Sequence, residues 1–489
     1  MLFNSLQFAI FFPITTLGFF VLPHRFRWLW LLAASVCFYM FFVPLYVLIL
    51  AGTILVDYVA GLLIEKAEGR RRRMFLVVSI VANVGVLFFF KYFNFFTSSV
   101  DVVLTRMGLP HWMPALRILL PIGLSFHTFQ SMSYTIEVYR GAQKAERNLG
   151  IFALYVMFYP QLVAGPIERP QNLLEQFHTE QRFEYQRVAD GLKLMAWGFV
   201  KKMIVADRIA LMVGPIYDHP EKASPLALLV ATVFFAYQIY CDFSGYSDIA
   251  LGSAQVMGFK LMKNFDSPYA SRSIGEFWRR WHISLSTWFR DYVYVPLGGN
   301  RVSVAKNCRN LMIVFVLSGL WHGANWTFVI WGALHGTFLV VSRLTQGARE
   351  RRKAGAAEPK LRVAFQILTT FSLVCLTWVF FRAKDVTDAF TILKGIAHVP
   401  LTLRPSAVKG AVVELTAMTG IGAFAFVISL ASIAGLEIVQ YYQRKHGSLR
   451  ELLGAKPAWV RWGAYAFALA VLLVFSQTSR ASTFIYFQF

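Results

Sequence analysis

Long apolar runs separated by short polar stretches extend from one end of the chain to the other. A membrane-spanning helix needs about 20 mostly apolar residues. Runs near that length fall at 6–23, 28–43, 45–64, 74–96, 118–138, 150–165, 191–215, 225–241, 310–341, 362–382, 411–438 and 459–477. The period-2 alternation of an outer-membrane barrel is absent. The pattern predicts an all-α polytopic membrane protein with about 10–12 membrane segments. Some of these dip in and return rather than cross, and interfacial helices accompany them. Met1–Ser5 lacks a basic region, so 6–23 reads as the first span rather than a cleavable signal. A linker-like stretch at 349–360 separates a larger part, 1–345, from the C-terminal spans of 362–489 within one membrane domain.

Composition narrows the class. Of 489 residues 57% are hydrophobic and 15% charged, against about 25% charged in ordinary soluble domains. A soluble core stops growing beyond roughly 250–300 residues, so a soluble enzyme is excluded, and so is a disordered chain. The net charge of +22 would suit a nucleic-acid binder, but its cations sit largely in loops between spans, which argues against that partner. Basic clusters at 65–73, at 349–362 and around Arg444, Lys445 and Arg450 read as cytoplasmic loops, as does the turn at His24–Arg27. That parity puts the N-terminus outside. Cys37, Cys241, Cys308 and Cys375 are scattered, with neither metal-ligand nor disulfide spacing. They read as small core residues, and no metal is expected.

Polar residues at membrane depth are costly and so are the candidates for chemistry. Ser318–Trp326 places His322 and Asn325 inside the apolar run 310–341, with Trp321 and Trp326 as walls. Gly319 and Gly323 are expected to thin the helix so that a substrate reaches the ring. A neutral buried imidazole can take a proton from an attacking hydroxyl and return it to a leaving thiolate. A core histidine bonded across a helix interface is the plain alternative, and it is the preferred reading for His335.

In Arg272–Tyr292, residues Ile274, Phe277, Trp278, Trp281, Leu285, Trp288, Phe289 and Tyr292 recur at helical spacing. Ser273 and Glu276 form a capping box at its start. Arg279, Arg280, His282, Ser284, Ser286 and Arg290 fall on the other face. This predicts one amphipathic helix at the cytoplasmic interface, serving as a passive anchor or as a guanidinium cluster for phosphates. The turn Pro296–Arg301 brings glycine N–H groups that can face a phosphate. Asp242 and Asp248 are expected to end an apolar span, where they orient an imidazole, pair with arginines or are simply solvated. Ser125, His127 and Gln130, and the break at Gly165-Pro166, suggest a funnel. The chain closes on Phe484-Ile-Tyr-Phe-Gln-Phe489, without Lys, Arg, Asp or Glu.

Three motifs together carry a resemblance. Phe277-Trp-Arg-Arg-Trp-His-Ile-Ser-Leu-Ser-Thr-Trp288, Asp242-Phe-Ser-Gly-Tyr-Ser-Asp248 and Leu317-Ser-Gly-Leu-Trp-His-Gly-Ala-Asn-Trp326 are similar to the membrane-bound O-acyltransferase family, above all its bacterial alginate O-acetyltransferase-like branch. Phe89–Asn94, Pro121–Phe126, Ala164–Pro166, Arg290–Tyr292, Leu297–Arg301 and Trp378–Arg382 extend the likeness over essentially the whole chain. The resemblance implies a helical bundle with a cytoplasmic funnel, multi-pass in the bacterial inner membrane. It implies acetyl-CoA as acyl donor from the cytoplasm, with the acetyl group passed outward to an exopolysaccharide such as alginate, or to a cell-wall glycan. A periplasmic SGNH-type acetyltransferase is the implied partner.

The family's active-site histidine matches His322, and its second polar position is nearest to His282. Donor contacts fall to Arg279, Arg280, Arg290, Trp321 and Asn325, with Lys263 as a further cation. The closing Phe484-x-Tyr486-x-x-Phe489 resembles the end of a small companion protein of the related D-alanylation system, and implies Tyr486 as an acyl carrier. Two rival readings remain open: a non-catalytic transporter of acetyl groups or lipid-linked intermediates, and a membrane scaffold.

Overall fold

Breaks in the apolar runs, rather than their number, organise the structure. The computed structural model describes residues 1–110, 116, 120–345, 359–402, 404–417, 422–447, 453–475 and 484–485. Its described residues form helices and connecting turns, with no strand among them. Among the described residues six helices are long and apolar enough to cross a membrane: Tyr46–Lys66, Gly69–Arg106, Pro225–Met257, Trp326–Leu344, Lys360–Arg382 and Phe424–His446. Leu6–Val21 and Ala458–Leu473 are shorter apolar helices. Other apolar runs are interrupted. The run at 150–165 stops at Met157, turns at Phe158 and forms only the short helix Tyr159–Leu162. The run at 310–341 is two helices separated at Gly323–Asn325.

Contacts divide the chain into two compact units. The first comprises Met1–Trp197 with Tyr246–Met262, and the second Gly198–Gly245 with Lys263–Phe489.

In the first unit, α1 (Tyr46–Lys66), α2 (Gly69–Leu87) and α3 (Leu124–Arg140) pack around a buried polar cluster. Asp57 accepts from Ser79 Oγ at 2.6 Å and from Asn83 Nδ2 at 2.9 Å. Ser125, His127 and Gln130 are buried on α3. His127 Nδ1 donates to the Gly123 carbonyl at 3.2 Å, and Gln130 Nε2 donates to the Tyr155 carbonyl. Gly123, at φ 78°, lies against the backbone of Leu162 and Val163. The start of α3 therefore packs on the segment that leads into the Gly165-Pro166 break. The backbone groups freed there are covered by protein, as membrane depth requires.

Glu168 follows the second break and is fully buried. Its carboxylate accepts from the Met262 amide and from Asn172 Nδ2. Burial lifts its carboxyl from 4.5 to about 7. Between those values the folded state binds the proton more tightly than the unfolded chain, so stability falls as pH rises through that window. The thermal midpoint of the detergent-solubilised protein is expected to drop between pH 5 and pH 8. Glu168→Gln should flatten that slope, and an unchanged slope in the variant would assign it to another group.

The chain of α4 (Pro225–Met257) starts in the second unit and ends in the first, and the second unit then holds the short α5 (Ile274–Arg280) and α6 (Ile283–Phe289), α7 (Val304–His322), α8 (Trp326–Leu344) and α9 (Lys360–Arg382). α7 and α8 pack closely on each other. The Cα atom of Gly332 lies 3.3 Å from a methyl built on Gly319, and that methyl would run into the Phe328 carbonyl oxygen. Small residues let two backbones approach where lipid supplies no hydrophobic drive. The glycines thus serve helix packing. Gly323 likewise faces the Phe328 ring, so neither glycine thins the helix for a substrate as the sequence had suggested. Gly319→Ala is expected to destabilise by about 1–3 kcal/mol through overpacking. A lower thermal midpoint and less folded protein after extraction would report it.

Candidate active site

Two histidines of the second unit face one tryptophan. His322 is the last residue of α7, and Asn325 caps α8. The imidazole is 4% exposed. Its neighbours are aromatic and nearly perpendicular to it: Trp321 at 4.9 Å between centroids, Trp331 at 5.0 Å and Phe381 at 5.3 Å. Trp321 also meets His282, with centroids 6.1 Å apart. The sequence had put His282 and His322 on separate motifs, and the fold brings both to Trp321.

The stretch Arg272–Tyr292 is not one interfacial helix. It breaks between α5 and α6, where His282 adopts φ 43°. Side chains with a Cβ rarely hold that left-handed conformation, and Asn264 stabilises it here. The Asn264 side-chain oxygen accepts from the Ser284 amide at 3.3 Å, from Ser284 Oγ at 2.9 Å and from His282 Nδ1 at 3.2 Å. The backbone amide of Ile283 donates to the Asn264 carbonyl.

Ile274, Phe277, Trp278, Trp281, Leu285, Trp288 and Phe289 are buried, and so are His282 and Ser284 from the expected polar face. The segment is core, not a surface anchor. Helical periodicity continued across the break because only Trp281 and His282 leave the helical region. An amide donor on Ser284 makes the Asn264 atom an acceptor, so His282 carries its proton on Nδ1 and Nε2 is its basic nitrogen. Desolvation lowers the His282 pKa to about 3, and the ring is neutral at working pH.

His335 belongs to structure. Trp278 Nε1 donates to its Nδ1 at 3.2 Å, and its Nε2 pairs with Thr377 Oγ1 at 2.9 Å. These bonds tie α5, α8 and α9 together.

Three of the expected donor cations pair with carboxylates. Arg280 pairs with Glu276 at 2.7 Å, Arg290 with Asp291 at 2.7 Å, and Lys263 with Asp266 at 2.8 Å. Arg279 and Arg290 are exposed. The Asn325 amide oxygen accepts from the Thr327 amide, and its nitrogen donates to the Lys384 carbonyl, so both ends of its side chain hold backbone. In the turn after α6, the amides of Gly298 and Gly299 donate to the carbonyls of Val295 and Tyr294. They do not face a phosphate. Among the described residues no group of three or more His, Cys, Asp or Glu is placed to hold a metal ion.

Neither Asp242 nor Asp248 ends a helix, since α4 runs on to Met257. Asp242 is buried at mid-helix and pairs with Lys202 at 2.7 Å, not with an arginine or an imidazole. Lys201 and Lys202 had gone unremarked in the sequence, although two lysines within the apolar run 191–215 were a sufficient signal. Tyr486 lies outside the described residues. The two residues before it are described. Phe484 is 2% and Ile485 1% exposed, and the Phe484 ring lies 5.8 Å from Phe243, which meets His282 at 4.6 Å. Aromatic contacts therefore run from Phe484 through Phe243, His282 and Trp321 to His322.

The fold is a helical membrane one that buries two histidines among aromatic rings. The model of MBOAT, the membrane-bound O-acyltransferase family, matches residues 140–355. The chain is 41% identical to the probable alginate O-acetylase AlgI of Pseudomonas aeruginosa, over 81% of this chain and 75% of that one. It is 36% identical to the peptidoglycan O-acetyltransferase of Helicobacter pylori, over 81% and 80% of the two chains. Against the teichoic acid D-alanyltransferase of Streptococcus thermophilus the identity is 32%, over 53% and 68%. The chain belongs to the membrane-bound O-acyltransferase family, and it is a multi-pass membrane O-acyltransferase.

Proposed function

We propose that this enzyme takes an acetyl group from acetyl-CoA on the cytoplasmic side of a bacterial inner membrane. It passes the group outward for O-acetylation of an alginate-like exopolysaccharide or a cell-wall glycan. The observation that carries this reading is the row of rings from Phe484 to His322. It links the tail that bears Tyr486 to the histidine pair. Support for the acetyl group comes from the P. aeruginosa and H. pylori relatives, both O-acetyl-transferring by name. The named relatives differ in acceptor, which supports a reading in which a partner chooses the acceptor. A periplasmic SGNH-type acetyltransferase is the partner proposed.

In the proposed step His322 removes the proton from the Tyr486 hydroxyl. The phenolic oxygen attacks the thioester carbonyl carbon, the C–S bond breaks, and the coenzyme A thiolate takes the proton back from His322. A phenol with pKa near 10 needs such a base at neutral pH. His282, neutral with its proton on Nδ1, packs on the Trp321 ring and shapes the pocket beside His322. Trp321 walls the acyl pocket. The donor phosphates are proposed to sit at Arg279, Arg280 and Arg290, exchanging with the carboxylates of Glu276 and Asp291.

Purified protein in lipid nanodiscs should consume acetyl-CoA and release free coenzyme A when the outer acceptor system is supplied. A transporter without chemistry would leave the thioester intact, and that result would reject the proposal.

A further inference from the structure

α4 carries a carboxylate at Asp242 within an apolar helix of membrane-spanning length, where a charge persists only when compensated. Lys202 supplies the compensation, lying 2.7 Å from Asp242 Oδ1 and 2.8 Å from Asp207 Oδ1. Both Lys202 and Asp242 are buried. Lys202 sits in a wide π turn, Val200–Ala206. Such turns insert an extra residue into a helix and are frequent at functional sites. Here the turn aims two consecutive lysines at α4, with Lys201 Nζ donating to Ser244 Oγ at 3.1 Å. The turn also packs closely on α4, since a methyl built on Gly245 would lie 2.8 Å from the Gly198 carbonyl and 3.0 Å from the Lys202 amide.

The second oxygen of Asp242 accepts a hydrogen bond from the backbone amide of Ile485 at 2.7 Å, across 243 positions of sequence. Charge-assisted bonds of this kind are short and strong. A backbone amide is present whatever the side chain, so this bond sets the position of the tail along its own length. Phe484 adds an apolar anchor on Phe243, the residue next to Asp242.

We propose that Asp242, held in place by Lys202, is the docking site of the C-terminal segment. By fixing the amide of Ile485 it positions the residue that follows, Tyr486. The positioning role rests on the proposed carrier function of Tyr486, whereas the docking itself does not. Asp242 is a positioning residue, acting through the tail rather than on the substrate.

Amide hydrogen exchange on the full-length protein in nanodiscs reads the docking directly. The Ile485 amide should exchange slowly in the unaltered chain, and at least tenfold faster in Asp242→Ala and in Phe484→Ala. Asp242→Asn, which keeps an acceptor oxygen, should lie between. Phe484→Ala leaves the Lys202–Asp242 pair untouched, so it serves if Asp242→Ala does not fold. Single-turnover acetyl transfer should fall at least tenfold in each variant whose tail is released, with the KM for acetyl-CoA unchanged. Fast exchange in the unaltered chain, or slow exchange in both alanine variants, would overturn the docking. Unchanged transfer with a released tail would overturn the positioning. Tyr486→Phe keeps the docking contacts and should keep slow exchange. If that variant is docked and still transfers at the full rate, the carrier reading fails while the docking site stands.

Discussion

Replacing His322 with alanine is expected to reduce acetyl transfer by about a hundred- to ten-thousand-fold, the range that a positioned general acid–base contributes. The ring is enclosed by Trp321, Trp331 and Phe381 at centroid distances of 4.9–5.3 Å. Alanine would remove both the base and a packed ring, so loss of activity alone would not separate chemistry from folding. His322→Gln serves as companion, because it keeps much of the volume and hydrogen-bonding capacity but cannot cycle a proton near neutral pH. Both variants should reach the membrane, and the glutamine variant should melt close to the unaltered protein. Normal glycan acetylation in cells carrying either variant at matched protein level would remove His322 from the mechanism. It would favour a scaffold that only recruits another acetyltransferase.

Tyr486→Phe should abolish glycan acetylation. Phenylalanine keeps the ring and loses only the hydroxyl oxygen that would carry the ester, so no acyl-enzyme can form there. The preceding residues, Phe484 and Ile485, keep their contacts with Phe243 and Asp242 in this variant. Protein level and thermal midpoint should therefore stay where they were. Acetylation of the polysaccharide measured in cells checks the result, and full acetylation would mean that the outer acceptor takes the group without a tyrosine relay.

Much of this architecture was legible in the sequence because lipid simplifies the rules. Apolar runs marked the helices, and the rare polar groups among them singled out His322 as the residue to test. What was not legible has a common cause: each feature depends on a partner distant in the chain. The helix break at His282 is stabilised by Asn264, 18 positions away, and hydrophobic periodicity carries no trace of it. Gly319 looked like an opening for substrate until Phe328 and Gly332 occupied that face. Asp242 looked like a helix end because an acidic residue is unexpected at mid-span, and its explanation lay in Lys202. The expected arginine cluster was a list of charges without their neighbours. Glu276 and Asp291 now hold two of its three guanidiniums.

The account turns on transfer from acetyl-CoA to Tyr486 with His322 as base. Peptide mass spectrometry of purified protein, after brief exposure to isotopically labelled acetyl-CoA without any outer acceptor, tests it most directly. One labelled acetyl group should appear on Tyr486 in the unaltered chain, and none on that residue in His322→Gln over the same interval. Labelled Tyr486 at an equal rate in His322→Gln, or an unaltered chain that consumes acetyl-CoA without acquiring label on Tyr486, would contradict it.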